Sequence, residues 1–254
     1  MTFTAAAVAG VAERPIEEVE EIYDDLATRE RLITGAGMLE WPDGTVAARY
    51  TFRHALHQQV LYEQVSQARR VRIHRQLGNH KEAYHGEHAS EIASELAVHF
   101  TEGREYHKAA QYRGQAGKTA LRRNAYHEAI AHAQAGLTLL PHLSNTPERQ
   151  REELALRIVL SGALAPTHGY LAEEVVENLR RARDLCQVLN DDTMLGSVLI
   201  HLGRAYEVRS DRAATAQIMG DMHRDVNEAQ KKMIDLAKAI PEASYSWRPS
   251  PGAR

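Results

Sequence analysis

The feature that most constrains this chain is an almost unbroken succession of amphipathic segments from residue 89 onward. Apolar side chains recur at helical spacing over 89–102, 105–123, 126–140, 148–164, 171–189, 192–208 and 212–239. Breaks near Gly103, Asn124, Pro141 to Pro147, Pro166 to Gly169 and Asn190-Asp191 keep most of these segments to 14–20 residues. Links this short return each helix alongside its predecessor, so sequence neighbours pack antiparallel. The supply of alanine, leucine, glutamate, arginine and glutamine favours helix throughout. Beyond Phe52 no strand pattern recurs, and the expected class is mainly α.

The first fifty residues read differently. Residues 1–14 are expected to form a helix entering the fold, and 15–31 a second one, with Ile16, Val19, Ile22, Tyr23 and Leu26 on one stripe. A loop containing Gly35 and Gly37 is expected next. Residues 38–41 then face 45–52 across Pro42-Asp43-Gly44, where proline fixes φ and glycine accepts φ > 0. In the second strand Val46, Ala48, Tyr50 and Phe52 alternate with Thr45, Ala47, Arg49 and Thr51, giving one apolar face. Helix, loop and two-stranded hairpin is the order found at the end of a winged-helix domain. One helical stripe covers 54–79, and the polar run GNHKEAYHGEH (78–88) is expected to break it. The tail 241–254, with Pro249, Pro251 and Gly252, has no period.

Residues 110–141 resemble one tetratricopeptide-type repeat. Gly117 holds the small position of its first helix, Tyr126 opens the second, Ala129 is its small residue and Pro141 closes the unit. Small residues let two helices approach closely, and proline ends the second. A second register, Leu96, Ala97, Phe100, Tyr106 and Ala109, fits the preceding pair but shares a helix with the first. The expected architecture is therefore a TPR-like α-solenoid of antiparallel helices, preceded by a partial winged-helix unit with one β-hairpin. Its expected divisions are a winged-helix-like segment 1–53, a connecting helix and loop 54–85, a helical repeat domain 86–240 and a flexible tail 241–254.

The run VAARYTFRHALHQQVLYEQVSQARRVRIHRQ (46–76) carries a wider resemblance. With Phe52, His54, Ala55, Leu56, Tyr62, Arg69, Arg70 and His74, it is similar to the segment following the ATPase module in bacterial signalling ATPases of the AAA/STAND type. The likeness continues through 109–141, 146–164 and 169–186, covers roughly residues 1–210, and fades beyond Arg209. It implies a winged helix and a TPR-like sensor, often joined to a class III adenylate/guanylate cyclase or a transcription-regulator domain. It also implies that this chain is the downstream, non-catalytic part of such a protein, as a fragment or a truncated gene product.

Chemistry-bearing patterns are sparse. Gly114-Gln-Ala-Gly117-Lys118-Thr119 matches only the tail of a phosphate loop, with two residues between its glycines instead of four, and it lies inside a helix. His54 and His57, and the group His80, His85 and His88, lack the converging third or fourth ligand that zinc requires, so no metal or cofactor is expected. His54 and His74 are expected to tie helices together. Cys186 is the only cysteine and falls on an apolar stripe, so it reads as a small core residue. Repeat core is also the reading of Leu154, Leu156, Ile158, Leu160, Leu185, Val188, Leu189, Leu195, Val198, Leu199 and Leu202. No enzymatic reaction is expected from these residues.

Two sets of residues have functional content. Gln111, Arg113, Gln115 and Lys118 lie on a first repeat helix, where such arrays bind peptides or partner helices in their groove. Arg53, Arg69, Arg70, Arg72 and Arg75 form a basic stretch in which Glu63 is the only acid between 44 and 81. That stretch could contact phosphate or a neighbouring module; the simpler expectation is a solvated face that pairs with the acidic helix 17–25. The helix that would have to read DNA, 16–31, carries seven acids against two arginines, which repels phosphate. The formal charge of −3 gives no general attraction to nucleic acid or to an anionic membrane. The leading expectation is a cytoplasmic, non-catalytic regulatory module that receives a protein or peptide and relays to an ATPase or cyclase. The alternative is a DNA-binding transcription regulator whose winged helix contacts DNA.

Overall fold

A computed structural model describes residues 2–30, 32–41 and 44–207, and, beyond these, single helical positions at 220, 224, 225, 227, 228, 231 and 232. The chain is mainly helical with one small antiparallel sheet, and it divides into two compact units, Met1–Leu164 and Ala165–Arg254.

In the first unit, β1 (Thr2–Thr4) leads directly into α1 (Ala5–Ala12), whose first turn is capped by the Thr4 hydroxyl accepting from the Ala7 N–H at 3.3 Å. A strand therefore precedes the entering helix. Then come α2 (Ile16–Asp25), a π-turn (Leu26–Glu30), β2 (Ile33–Glu40) and β3 (Val46–Phe52). The sheet order is β1-β3-β2, so the hairpin gains a third strand. The stretch around Gly35 and Gly37, expected as a loop, belongs to β2 instead. Gly35 pairs with Tyr50 and Met38 with Ala48, and the irregularity between them accommodates Gly37 at φ 87°. Gly44 has φ 85°, as the turn chemistry requires, while Pro42 and Asp43 lie outside the described residues. Ala5, Ala9, Val19, Ile33 and Tyr50 form the core here; Phe3, Tyr23 and Tyr50 meet ring to ring at 5.1–6.2 Å.

The single helix expected over 54–79 is two helices. α3 (Ala55–Gln64) ends at Val65, whose extended ψ of 123° breaks the ladder, and α4 (Gln67–His85) begins afresh. α4 runs through the polar segment 78–85 because Gly78 packs under the Phe100 ring, where a Cβ would stand 2.9 Å from a ring carbon. A 3-10 turn (Gly86–Ile92) then leads to α5 (Ala93–Glu102), α6 (Tyr106–Arg122) and α7 (Tyr126–Leu139). Arg104 and Asn124, both at φ 57°, turn the chain between these helices. α8 (Pro147–His168) follows a 3-10 turn that holds Pro141. Small residues bring α6, α7 and α8 together: a Cβ on Gly117 would lie 2.7 Å from Val159, and one on Gly136 would lie 2.5 Å from Leu156. Ala129 on α7 is fully buried.

The second unit contains the end of α8, α9 (Glu173–Leu189) and α10 (Asp192–Glu207). Helix α8 continues through Pro166 to His168, four residues past its expected end. Val175, Leu185, Cys186, Val198 and Leu202 are buried core, and burial pushes the Cys186 thiol up to about 11, which suits an inert side chain. Val188, expected in that core, is 63 % exposed. The helix expected over 212–239 falls largely outside the described residues. No helix among the described residues is long and apolar enough to cross a membrane.

Candidate functional site: a groove between α6 and α8

Helix α6 exposes Gln111, Gln115 and Lys118 at spacings of four and three, one stripe of the helix. Their neighbours Ala110 and Gly114 are buried and short, so the helix surface between the stripe and α8 is recessed. Helix α8 supplies the other wall with Arg151, Glu152, Ala155 and Leu156. The result is a groove of about 340 Å³ with an aliphatic floor and a polar rim. Its depth comes from side chains that are absent; the nearest atom to a Cβ built on Gly114 is Leu156 Cδ2 at 3.8 Å.

The rim has a definite electrostatic layout. Among the described residues Lys118 makes no ion pair, and Arg151 makes only an exposed one with Glu148 at 3.6 Å. Glu152 is nearly enclosed, with a side chain 12 % exposed, and approaches His107 Nε2 at 3.0 Å. Burial raises its carboxyl above the ordinary range, opposed by His107 and by a hydrogen bond from Gln111; its second oxygen, Oε2, is buried with no hydrogen-bond partner among the described residues. An extended peptide laid here would meet amide donors and acceptors, two cations and one shielded carboxyl. Nothing in that set supplies a nucleophile with an adjacent base.

Three of the four expected groove residues come together, and Arg113 does not join them. It lies on the opposite side of α6, where its guanidinium donates to His132 Nδ1 on α7 at 3.3 Å. That bond places the imidazole proton on Nε2, which faces Glu128 at 3.7 Å. Burial draws the Arg113 guanidinium below its ordinary value, and burial and Arg113 together lower His132 against the opposing Glu128. Sequence reasoning missed the α8 wall, Arg151 and Glu152; the available signal was the helical spacing of 148–164, which places a helix after α7.

The basic stretch is dispersed. Arg75 spends its guanidinium on Gly103 O at 3.2–3.3 Å and on Glu105 at 2.8 Å, tying α4 to the α5–α6 turn. Arg70 lies 4.9 Å over the Tyr62 ring and lines a separate concavity of about 250 Å³ with Tyr62, Arg104 and Tyr106. Arg53, Arg69 and Arg72 are exposed. The expected pairing with the acidic helix does not form: among the described residues α2 engages only Arg14 (with Glu18, 2.7 Å) and Arg29 (with Asp25, 3.3 Å) in ion pairs. Its Glu20 and Asp24 turn inward to the Ala48 N–H and the Tyr50 hydroxyl.

His74 and His99 serve packing. His74 bridges Tyr62 Oη at 3.2 Å and His99 Nδ1 at 3.1 Å, linking α3, α4 and α5; burial and His99 lower its pKa, Arg70 adds to this and Glu102 opposes it. Glu95, beside His99 and Lys81, is held down to about 2. His54 sits at the α3 N-cap without a side-chain cap bond and meets His57 edge-on at 5.4 Å. No group of three or more metal-ligating side chains converges among the described residues. A third concavity, of about 200 Å³ in the second unit, is lined by Gln187, Asp192, Asp225, Glu228 and Lys232.

Comparison with protein-family models, curated proteins and solved structures gives no match, so the family resemblance rests on the residues quoted for it above.

Proposed function

We propose that this chain is a non-catalytic recognition module, a TPR-like helical array that holds an extended peptide segment of a partner protein between α6 and α8. The reading is supported above all by the groove itself, where small residues make room and Gln111, Gln115, Lys118, Arg151 and Glu152 ring it with side chains suited to main-chain and charged-group recognition. In a signalling ATPase of the kind the sequence resembles, such a module takes the input that sets the ATPase or cyclase, in the reducing interior of the cell. The winged-helix reading of the first fifty residues fits a joint between modules better than a DNA reader, because exposed carboxylates on α2 would face phosphate.

The test is a display of random octapeptides selected on immobilised full-length chain, with peptides recovered by selection measured by fluorescence anisotropy. Binding that falls at least tenfold in Lys118→Glu/Arg151→Glu, with circular dichroism unchanged, is expected. Selected peptides that bind this variant and the parent equally would remove the groove from the account. Salt-sensitive binding of duplex DNA by the parent chain would instead favour the transcription-regulator reading.

A further inference from the structure

Helix α3 is anomalous as a piece of folded protein. None of its ten residues is buried, no side chain caps its N-terminus, and Leu56, Val60, Leu61 and Tyr62 are 66, 45, 44 and 41 % exposed. A helix of this length is marginal in water without a packed face. Contiguous apolar exposure of this kind marks an interaction surface. Arginines outnumber acids around it: Arg53 lies just ahead of the His54 N-cap, and Arg69 and Arg72 lie exposed on the first turns of α4, next to the Arg70 that covers Tyr62, while Glu63 is the one carboxylate on α3 and accepts from Gln59 at 2.9 Å. Among the described residues, Arg53, Arg69 and Arg72 make no ion pair.

The complementary surface is on the same chain. Helix α2 exposes Glu18, Glu21, Ile22 and Asp25 as one stripe, with Glu17 at its edge and the Ile22 side chain 44 % exposed in the middle. Among the described residues Glu17 and Glu21 have no ion-pair partner, and the two pairs made by Glu18 and Asp25 are solvated ones of small worth. One surface is apolar with a basic rim, the other acidic with an apolar centre, and within the chain they do not pair.

We infer that a second copy of this chain covers α3: the acidic face of α2 from one molecule packs on α3 and the start of α4 of the other, with Ile22 seated between Leu56 and Val60. Reciprocal use of both faces closes a two-fold dimer. The contact joins an apolar centre to a rim of opposite charges, so its strength depends on salt. It uses none of the α6–α8 groove residues, so dimer formation and peptide binding are separable.

Sedimentation equilibrium of the full chain reads this directly. The parent is expected to be dimeric at micromolar concentration in 50 mM salt, with dissociation at least tenfold weaker in 500 mM salt. Arg53→Glu/Arg69→Glu/Arg72→Glu and Glu17→Lys/Glu18→Lys/Glu21→Lys are each expected to be monomeric, and an equimolar mixture of the two to recover the dimer mass. Leu56→Asp is expected to be monomeric alone and in that mixture. Because every one of these positions is exposed, unchanged circular dichroism is the folding control. A parent that stays monomeric, or a dimer that both charge reversals leave intact, overturns the inference; a monomeric parent whose α3 amides are protected only by an added acidic amphipathic helix assigns the surface to another protein.

Discussion

At the scale of the single residue, the glycines decide how closely helices approach. Gly103 is the sharpest case, since a Cβ there would lie 2.9 Å from the Arg75 backbone nitrogen and 3.0 Å from its Cα, atoms that cannot move aside. Gly103→Ala is expected to destabilise the first unit by about 1–3 kcal/mol, measured by urea denaturation, even though alanine is the better helix residue. Two packed histidines, one half-buried and one buried, set the acid response. His74 and His132 both have lowered pKa values in the folded chain, so the folded state disfavours their protonation. Their contribution is complete above the unfolded value of about 6.5 and is lost as pH falls through that value toward the folded one. Glu95 works the same way lower down: held to about 2, it contributes above its ordinary 4.5 and loses that contribution between 4.5 and 2. The denaturation midpoint should therefore fall as pH is lowered from 7 to 5, and His132→Gln should flatten that slope. An unchanged slope in the variant would remove His132 from the set.

Elements differ in how they are held. α5, α6 and α7 bury Leu96, Phe100, Ala109, Ala116, Ala129 and Ala133, whereas α3 buries nothing. Amides of α3 are therefore expected to exchange with solvent orders of magnitude faster than those of α6 in the isolated monomer, read by hydrogen–deuterium exchange. The same comparison explains why the periodicity of 54–79 was misleading. Its stripe contains residues of two helices, and the break at Val65 carries neither glycine nor proline to announce it. The strand around Gly35 and Gly37 was hidden for the converse reason, because glycines that look like loop punctuation here accommodate an irregular ladder opposite β3.

For the whole molecule, the division falls inside α8, and the first surface break after it is the exposed stretch His168–Leu171 with Gly169 at φ 86°. Limited chymotrypsin treatment is expected to cut first after Tyr170 or Leu171 within the described residues, leaving an N-terminal piece that retains its helical circular dichroism. Cleavage first within α4 to α7 would contradict the packing described for them.

The sequence by itself determined the mainly helical class, most helix ends from α5 to α10, and the hairpin β2–β3, because apolar period, helix-breaking residues and turn chemistry are local properties. It also named Gln111, Gln115 and Lys118, which a helical repeat of 3.6 puts on one stripe. Tertiary structure alone decided that Arg113 faces α7, that α8 builds the opposite wall of the groove, and that the basic stretch and the acidic helix remain apart. Those are questions of which face of a helix meets which neighbour, and the answer depends on close approaches such as Gly117 to Val159 and Gly136 to Leu156, between residues 42 and 20 positions apart.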